Sequence, residues 1–448
     1  MRVACLTKDP GVRARAAAAT AVSSVVHAGR SLDPALADAG GDVPASEQSL
    51  YKALTYGVLR HWWSLEARLK PFLKRRLKRR DRHITALLKV GALQIDRLRI
   101  PAHASVSQTV EAARLLGRPQ LAGLVNGVLR NLIRGGDPEP PSTESARFDH
   151  PDWMLRRVRA DWPDDFEDIL AAGNRQAPMW LRVNPRKVGT NDYRHRLPEG
   201  AEPLDGLPQA LRLAAPVDAT GLPGFAEGHA SVQDAAAQLA APWLLGERPS
   251  EPGTDLRLLD LCAAPGGKAA HLLELAGQKA TLTALEVDPA RGALIDQTLD
   301  RLGLSATVSI ADASRLDQWW NGQPFDRVLL DAPCSASGVI RRHPDIKHLR
   351  REDDLAALSA LQDQLLDAAW QVLAPGGRLL YVTCSVFAAE NDAAVGRLLK
   401  RQPDAVENKV LPNNNIKALM KPKPVGFQVL PGTRGLDGFF YACLDKRA

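Results

Sequence analysis

The sequence predicts a chain of several domains: an all-α N-terminal domain, a small α+β middle domain, and a C-terminal α/β domain built on an open, mostly parallel sheet. Three observations carry this reading. The chain has 448 residues, too many for one ordinary core. Residues 11–134 place apolar side chains at spacings of three and four, the period of an amphipathic helix. From Asp255 onward, short apolar runs alternate with helical patterns, which implies parallel strands joined by crossover helices.

The helical region divides into Ala16–His27, Tyr51–Leu69, Asp81–Leu98, Val106–Leu116 and Leu121–Arg134. Turn signals at Ala39-Gly40-Gly41, Ile100-Pro101 and Gly117-Arg118-Pro119 separate them. In the last segment Gly123 and Gly127 lie four apart, a spacing that permits close helix packing at a cost in propensity. A Pro/Gly-dense linker over 135–142 closes the first domain, expected at 1–140. The middle domain, 143–240, has helical patterns over Trp153–Asp161 and Pro163–Gln176 and a strand at Met179–Val183 stopped by Asn184-Pro185. A loop-rich stretch with little periodic signal then runs to Gly228. In the third domain, 241–448, strands are expected at Leu256–Leu261, Thr281–Val287, Thr307–Ile310, Arg327–Leu330 and Arg378–Val382. The helices are expected at Lys268–Leu275, Ala290–Leu302, Asp354–Leu373 and Asn391–Lys400. Ligands of such a sheet sit at the carboxyl ends of its strands.

Apolar content of 45% and charged content of 24% are those of a soluble globular protein. The start of the chain lacks the apolar stretch of a signal peptide and no run approaches a membrane span, so a cytoplasmic protein with no membrane partner is expected. The five cysteines include no Cys-x-x-Cys pair, which predicts reduced thiols, no disulfide framework and no metal site. The net charge of +7 is uneven: residues 1–140 hold 23 Lys+Arg against 11 Asp+Glu, leaving 35 against 40 in the remainder. The basic surface peaks at Lys70–Arg82, flanked by Trp62 and Trp63, and such a cluster is the footprint of a polyanion-binding face.

The first strand of the third domain runs into Cys262-Ala263-Ala264-Pro265-Gly266-Gly267-Lys268, where a helix opens. Pro265-Gly266-Gly267 makes a tight turn of little bulk, so a ligand can lie against the backbone and the helix N-terminus. A dinucleotide fingerprint needs Gly-x-Gly-x-x-Gly, which is missing. A Walker A loop needs Gly where Cys262 stands and Ser or Thr where Ala269 stands. Glu286, at the tip of the second strand, is suited to accept from both hydroxyls of a ribose and is preferred to Asp288 because it ends the strand directly. Asp312, after the third strand, suits an adenine amino group.

Two cysteines follow apolar runs in Asp331-Ala332-Pro333-Cys334-Ser335 and Thr383-Cys384-Ser385, so both thiols should project into one crevice. That pairing suggests covalent chemistry on a pyrimidine. Cytosine C5 is a poor nucleophile. Adding a thiolate to C6 turns the ring into an enamine whose C5 attacks an electrophilic methyl, provided an acid answers the charge at N3. Asp331 stands at the right strand tip to be that N3 partner. After transfer the C5 proton must leave and the thioether must be eliminated, which gives a second thiol a purpose. Spacing leaves open which cysteine attacks. Cys262 reads as a turn element, and Cys5 and Cys443 as incidental. A base must leave its stack to enter such a crevice, so loops or exposed single strands are the expected substrates. Arg341, Arg342, His343 and Lys347 either hold phosphates nearby or form a solvated surface.

These motifs, with Glu390-Asn391 after the second cysteine and Gly438-Phe439-Phe440-Tyr441-Ala442 near the end, resemble the Nol1/Nop2/Sun family of RNA cytosine-C5 methyltransferases. The likeness extends to Leu181-Arg182-Val183-Asn184-Pro185 and Val232-Gln233-Asp234, and the N-terminal region is similar to the NusB-like RNA-binding domain. The resemblance implies a Rossmann-like class I methyltransferase domain that uses S-adenosyl-L-methionine. Cys262, Ala263, Ala264, Pro265, Gly266, Gly267 and Lys268 would line its methionine and ribose end. Glu286 would hold the ribose, where the family often has Asp; Asp312 would hold the adenine, and Asp331 would face the reacting centre. It also implies Cys384 as nucleophile and Cys334 in product release, whereas DNA C5 enzymes attack with the Pro-Cys thiol. With the NusB-like domain, it implies small-subunit (16S) ribosomal RNA as the partner of a monomeric enzyme.

Overall fold

The structure, a computed structural model, describes residues 9–75, 77–137, 140–197, 200–246, 255–276 and 280–448; Cys5 lies outside the described residues. The chain forms two compact units, one extending to Arg175 and including Ile340–Glu352, the other holding Gln176–Val339 and Asp353–Ala448.

The first unit is helical. Its main helices are α1 (Pro10–Ala28), α2 (Leu32–Gly40), α3 (Gln48–Arg60), α4 (Trp62–Leu69), α5 (Arg82–Asp96), α6 (Ala102–Leu115) and α7 (Ala122–Arg134). Asp9 caps α1 by accepting from the Gly11 amide at 2.9 Å, Pro10 opens it, and Gly29 ends it at φ 71°. The single helix expected over Tyr51–Leu69 is two, broken at His61 (φ −113°, ψ 29°). Asp149 supplies the reason: its carboxylate accepts from the Ser64 amide at 2.7 Å and contacts His61 Nδ1 at 3.0 Å, capping α4 from outside the helix.

The glycines expected to bring α7 close to a neighbour do not do so, because a Cβ on Gly123 or Gly127 would meet nothing within 4 Å. Close approach falls instead at Gly91 of α5, where a Cβ would come 2.7 Å from Leu129. Lys70, Lys74, Arg75, Lys78, Arg79 and Arg80 are exposed, as a polyanion-binding face requires. The flanking indoles face inward: Trp62 is buried under the Lys89 ammonium, 3.7 Å from its ring, and Trp63 stacks on His348 at 4.9 Å. Lys347 is also committed, so it is neither a phosphate ligand nor solvated. It is buried and donates to the carbonyls of Arg60 (3.1 Å) and Asp149 (2.9 Å) and to Asn174 Oδ1.

The second unit carries two sheets. The smaller is antiparallel, in the order β2-β3-β1-β4, from β1 (Trp180–Val183), β2 (Ala201–Leu204), β3 (Leu207–Leu213) and β4 (Ala230–Val232). Two of its strands, β2 and β3, fall in the stretch whose sequence showed little periodicity. The larger sheet comprises β5 (Arg257–Leu261), β6 (Thr281–Glu286), β7 (Thr307–Ile310), β8 (Phe325–Asp331), β9 (Leu373–Thr383), β10 (Ala405–Glu407), β11 (Lys421–Pro422), β12 (Phe427–Val429) and β13 (Phe439–Lys446). Its order is β11-β12-β13-β9-β8-β5-β6-β7, with β10 on β13. Strands β5 to β9 pair in parallel, and β10 to β13 extend the sheet antiparallel.

Alternation along the strands divides the core between the two faces. Leu258, Leu282, Leu329 and Leu380 pack with Ala270 and Leu273 of the Gly267–Ala276 helix. Leu259, Leu285, Val328 and Tyr381 pack with Leu366 of the Asp354–Val372 helix and Val395 of the Asp392–Arg401 helix. No described helix is long and apolar enough to cross a membrane.

Candidate active site

Five parallel strands end side by side, and the residues singled out in the sequence lie at their carboxyl ends. After β5 the chain turns sharply at Cys262 (φ 63°). The Ala263 amide donates to Leu285 O at 2.8 Å, tying the turn to β6, and the Gly266 amide closes it on Ala263 O at 2.8 Å. The Ala264 carbonyl accepts from Arg291 at 3.4 Å and the Pro265 carbonyl from Thr298 Oγ1 at 2.7 Å. Gly266 sits at φ 96°, with backbone of Ile295 3.2 Å from where a Cβ would be, so glycine is required there. Gly267 opens the helix, and its carbonyl accepts from Arg182 Nη1 at 2.7 Å. Arg182 is buried and held by Glu274 through two bonds of 2.8 and 2.9 Å, so β1 of the small sheet braces the turn.

Glu286 ends β6 with its side chain buried. Its Oε1 accepts from the amides of Val287 (3.0 Å) and Asp288 (3.2 Å), while Oε2 is buried with no hydrogen-bond partner. Asp288 is occupied otherwise, as the N-cap of the Pro289–Leu302 helix, accepting from Ala290 at 2.8 Å. Asp312 turns toward its own loop, accepting from the Ser314 amide at 2.9 Å and hydroxyl at 2.7 Å.

Lys268 reaches the tip of β8, its Nζ 2.5 Å from Asp331 Oδ2 and 5.2 Å from the centre of the Phe439 ring. Burial is the largest single influence and lowers its pKa, but the charge and the hydrogen bond of Asp331, with smaller contributions from neighbouring groups, together hold the ammonium above its ordinary value. Asp260, one strand away on β5, is fully buried with neither carboxylate oxygen bonded. Burial, and then the charge of Asp331, pushes its carboxyl well above the usual range, with Lys268 opposing. Sequence reasoning passed over Asp260; the available signal was a single carboxylate inside the apolar run Leu258–Leu261.

The thiols of Cys334 and Cys384 come together, Sγ to Sγ 3.5 Å. The hydrogen bond with Cys384 is the first cause, and burial the second, that drives the Cys334 thiol well above its ordinary pKa, so Cys334 keeps its proton. Cys262 is likewise raised by burial, and Cys443, buried within β13, is pushed up to about 12. Three contacts fix the Cys334 loop. Ala332 N donates to Val382 O (2.9 Å), Gly338 N to Cys384 O (2.9 Å), and Gly438 N to Gly338 O (2.9 Å). A Cβ on Gly438 would lie 2.8 Å from Gly338 Cα, which explains the glycine that opens the Gly438–Ala442 motif. Among the described residues no group of three or more His, Cys, Asp or Glu could hold a metal ion.

Comparisons with known proteins agree with this architecture. Residues 249–445 match a family described as 16S rRNA methyltransferase RsmB/F, residues 12–134 the NusB family, and residues 150–220 a ferredoxin-like domain of RsmF/B-like methyltransferases. The chain is 44% identical over 439 residues to a Vibrio cholerae protein named ribosomal RNA small subunit methyltransferase B, covering 97% of each chain. It is 44% identical over 452 residues to the protein of that name from Xanthomonas campestris pv. campestris, covering 99% of each. The crystal structure of the protein PH0851 has the same fold, with a TM-score of 0.80 at 24% identity, covering 98% of this chain and 100% of that one.

Proposed function

The chain belongs to the 16S rRNA methyltransferase RsmB/F family, and from that premise we propose that it transfers a methyl group from S-adenosyl-L-methionine to C5 of a cytosine in small-subunit ribosomal RNA, through a covalent Cys384–C6 adduct. The observation that carries this reading is the pair of thiols 3.5 Å apart, with Asp331 ending the strand that leads into Cys334.

The cofactor fits what the strand tips leave open. Glu286 Oε2, buried and unpartnered, is an acceptor for a ribose hydroxyl, and the partly exposed Cys262, Ala264 and Gly267 of the turn border the place for the methionine end. Asp312 is the acid nearest in sequence for the adenine. When bound, S-adenosyl-L-methionine supplies an electrophilic methyl. The protein makes the base nucleophilic. Cys384 gives up its thiol proton and its Sγ adds to C6, forming the S–C6 bond and moving the C5=C6 electron pair toward C5, while that proton, relayed by the Asp331 carboxylate, answers the charge that develops at N3. The Lys268 ammonium, paired with Asp331, adds positive charge at the same point. Once C5 carries the methyl, its proton leaves to solvent water, the C5–H electrons restore the double bond, the S–C6 electrons return to Cys384, and the N3 proton passes back to that sulfur. Cys334, which keeps its proton, donates to the departing sulfur and so assists release. The exposed Lys74, Arg75, Lys78, Arg79 and Arg80 suit the phosphate backbone of the substrate.

Bisulfite sequencing of 16S ribosomal RNA from cells with and without the protein tests the reading. One protected cytosine that disappears with the protein is the expected result. An identical pattern in both would refute it.

A further inference from the structure

Each cysteine is followed by a serine, and both serines bond to one buried carboxylate. Glu390 is fully buried between the loops. Its Oε1 accepts from the Ser335 amide at 2.7 Å. Its Oε2 accepts from the Ser335 hydroxyl at 2.6 Å and from the Ser385 hydroxyl at 2.5 Å. Ser337 closes the cluster, with its hydroxyl 3.1 Å from those of Ser335 and Ser385, and accepts from the Val386 amide at 3.0 Å. Gln362 ties the carboxylate to the approach of the first loop, donating to Pro333 O at 2.8 Å and to Glu390 Oε1 at 3.4 Å. Tyr381 anchors Glu390 itself by donating to its carbonyl at 2.6 Å.

We propose that Glu390 is a positioning residue: by clamping the residue after each cysteine, it holds the two thiols in reacting register. The inference rests on the function proposed above but concerns a residue that has no part in bond making. The argument is geometric. The loops come from β8 and β9, and their register along the strands places Asp331 opposite Val382, which leaves the sulfurs beyond the end of the ladder. Past that point the backbone ties are Ala332 N to Val382 O and Gly338 N to Cys384 O, one on either side of Cys334. Glu390 adds a cross-link next to the sulfurs. An acceptor-only carboxylate can satisfy an amide and two hydroxyls at once, which no neutral side chain of that size does. Asn391 braces the second loop from the other side, accepting from Thr383 Oγ1 at 2.6 Å and donating to Ser385 O at 3.0 Å.

Two readouts on the full chain test this. With RNA and S-adenosyl-L-methionine, Glu390→Ala should lower kcat about 100-fold, the cost of misplacing a reacting group by roughly an ångström, with the KM for the cofactor changed less than about twofold. Glu390→Gln keeps the shape and one acceptor oxygen and should recover part of the loss. The second readout needs no substrate: diamide, which takes up the two thiol hydrogens, should join Cys334 to Cys384 rapidly in the wild type and at least about tenfold more slowly in Glu390→Ala, by peptide mapping. If Glu390→Ala does not fold, Ser335→Ala and Ser385→Ala each remove one arm of the clamp and should each slow disulfide formation. Oxidation at the wild-type rate in the folded variants overturns the clamp. Loss of methylation by the wild type, with the oxidation difference intact, would refute the proposed function and leave the clamp standing.

Discussion

The tips of β5 and β6 and the tips of β8 and β9 are adjacent in one sheet yet are built on opposite plans. On the first pair, carboxylates are buried without enough partners: both oxygens of Asp260 and Oε2 of Glu286 have none. On the second pair the polar groups satisfy one another, with Glu390, Ser335, Ser337, Ser385 and Asn391 bonded in a single cluster. An unpaired buried acceptor costs about 1–3 kcal/mol, so the first region is poised to gain from a polar ligand. Beyond that cluster the second region presents two sulfurs and the Asp331 carboxylate, which is paired with Lys268, held in place before any substrate arrives. Under the proposed function, the difference separates a site that binds from a site that reacts, and the first two substitutions below should each disturb one and spare the other.

The largest effect is expected at the reacting side. Cys384→Ala should reduce methyl transfer at least about 10⁴-fold, as removal of a covalent nucleophile does, while binding of S-adenosylhomocysteine measured by calorimetry stays within about twofold. A variant that binds normally and still methylates would erase the distinction between the two regions.

A smaller effect, on binding, is expected at Glu286. Glu286→Ala should raise the dissociation constant of S-adenosylhomocysteine about tenfold to a hundredfold, because charge-assisted bonds to a ribose are lost. Asp288→Ala serves as the control, since Asp288 caps a helix and its loss should cost about 1 kcal/mol of stability and little affinity. The reverse pattern in calorimetry would assign the ribose to the other acid.

The smallest effect concerns Asp260, whose carboxyl is held protonated well above the usual range by burial first and by Asp331 second. The folded chain therefore retains a proton that the unfolded chain releases above about pH 4. With more protons bound in the folded state, stability falls as pH rises from there until the folded pKa is passed. Asp260→Asn removes that slope. Its melting temperature should gain on the wild type by about 2–4 °C between pH 4.5 and pH 7.5; an offset that does not change with pH would show that Asp260 is ionised or paired in solution.

Much of this was legible in the sequence because it is local. A strand that ends in a glycine turn, an acid at a strand tip and a cysteine after a proline are each read from a few neighbouring residues, and the parallel sheet from the alternation of helix and strand patterns. The strands Ala201–Leu204 and Leu207–Leu213 were not legible. The first is largely exposed, the second has broken alternation, and their pairing into an antiparallel sheet is settled by tertiary contact with β1. Gly123 and Gly127 misled because a spacing of four says nothing about which face of the helix meets a neighbour. Lys347 was misread because three acceptors, at Arg60, Asp149 and Asn174, are scattered along the chain. Glu390 stood in view beside the second cysteine, but its work depends on Ser335, 55 residues earlier.

The central claim, a covalent adduct resolved with the help of a second thiol, is tested most directly by Cys334→Ala. Incubated with 16S ribosomal RNA and labelled S-adenosyl-L-methionine, then run on a denaturing gel, this variant should accumulate a protein–RNA adduct that carries the labelled methyl, with peptide mapping placing the RNA on Cys384. An adduct trapped by Cys384→Ala, with the Cys334→Ala variant inert, would assign attack to Cys334 and contradict the account.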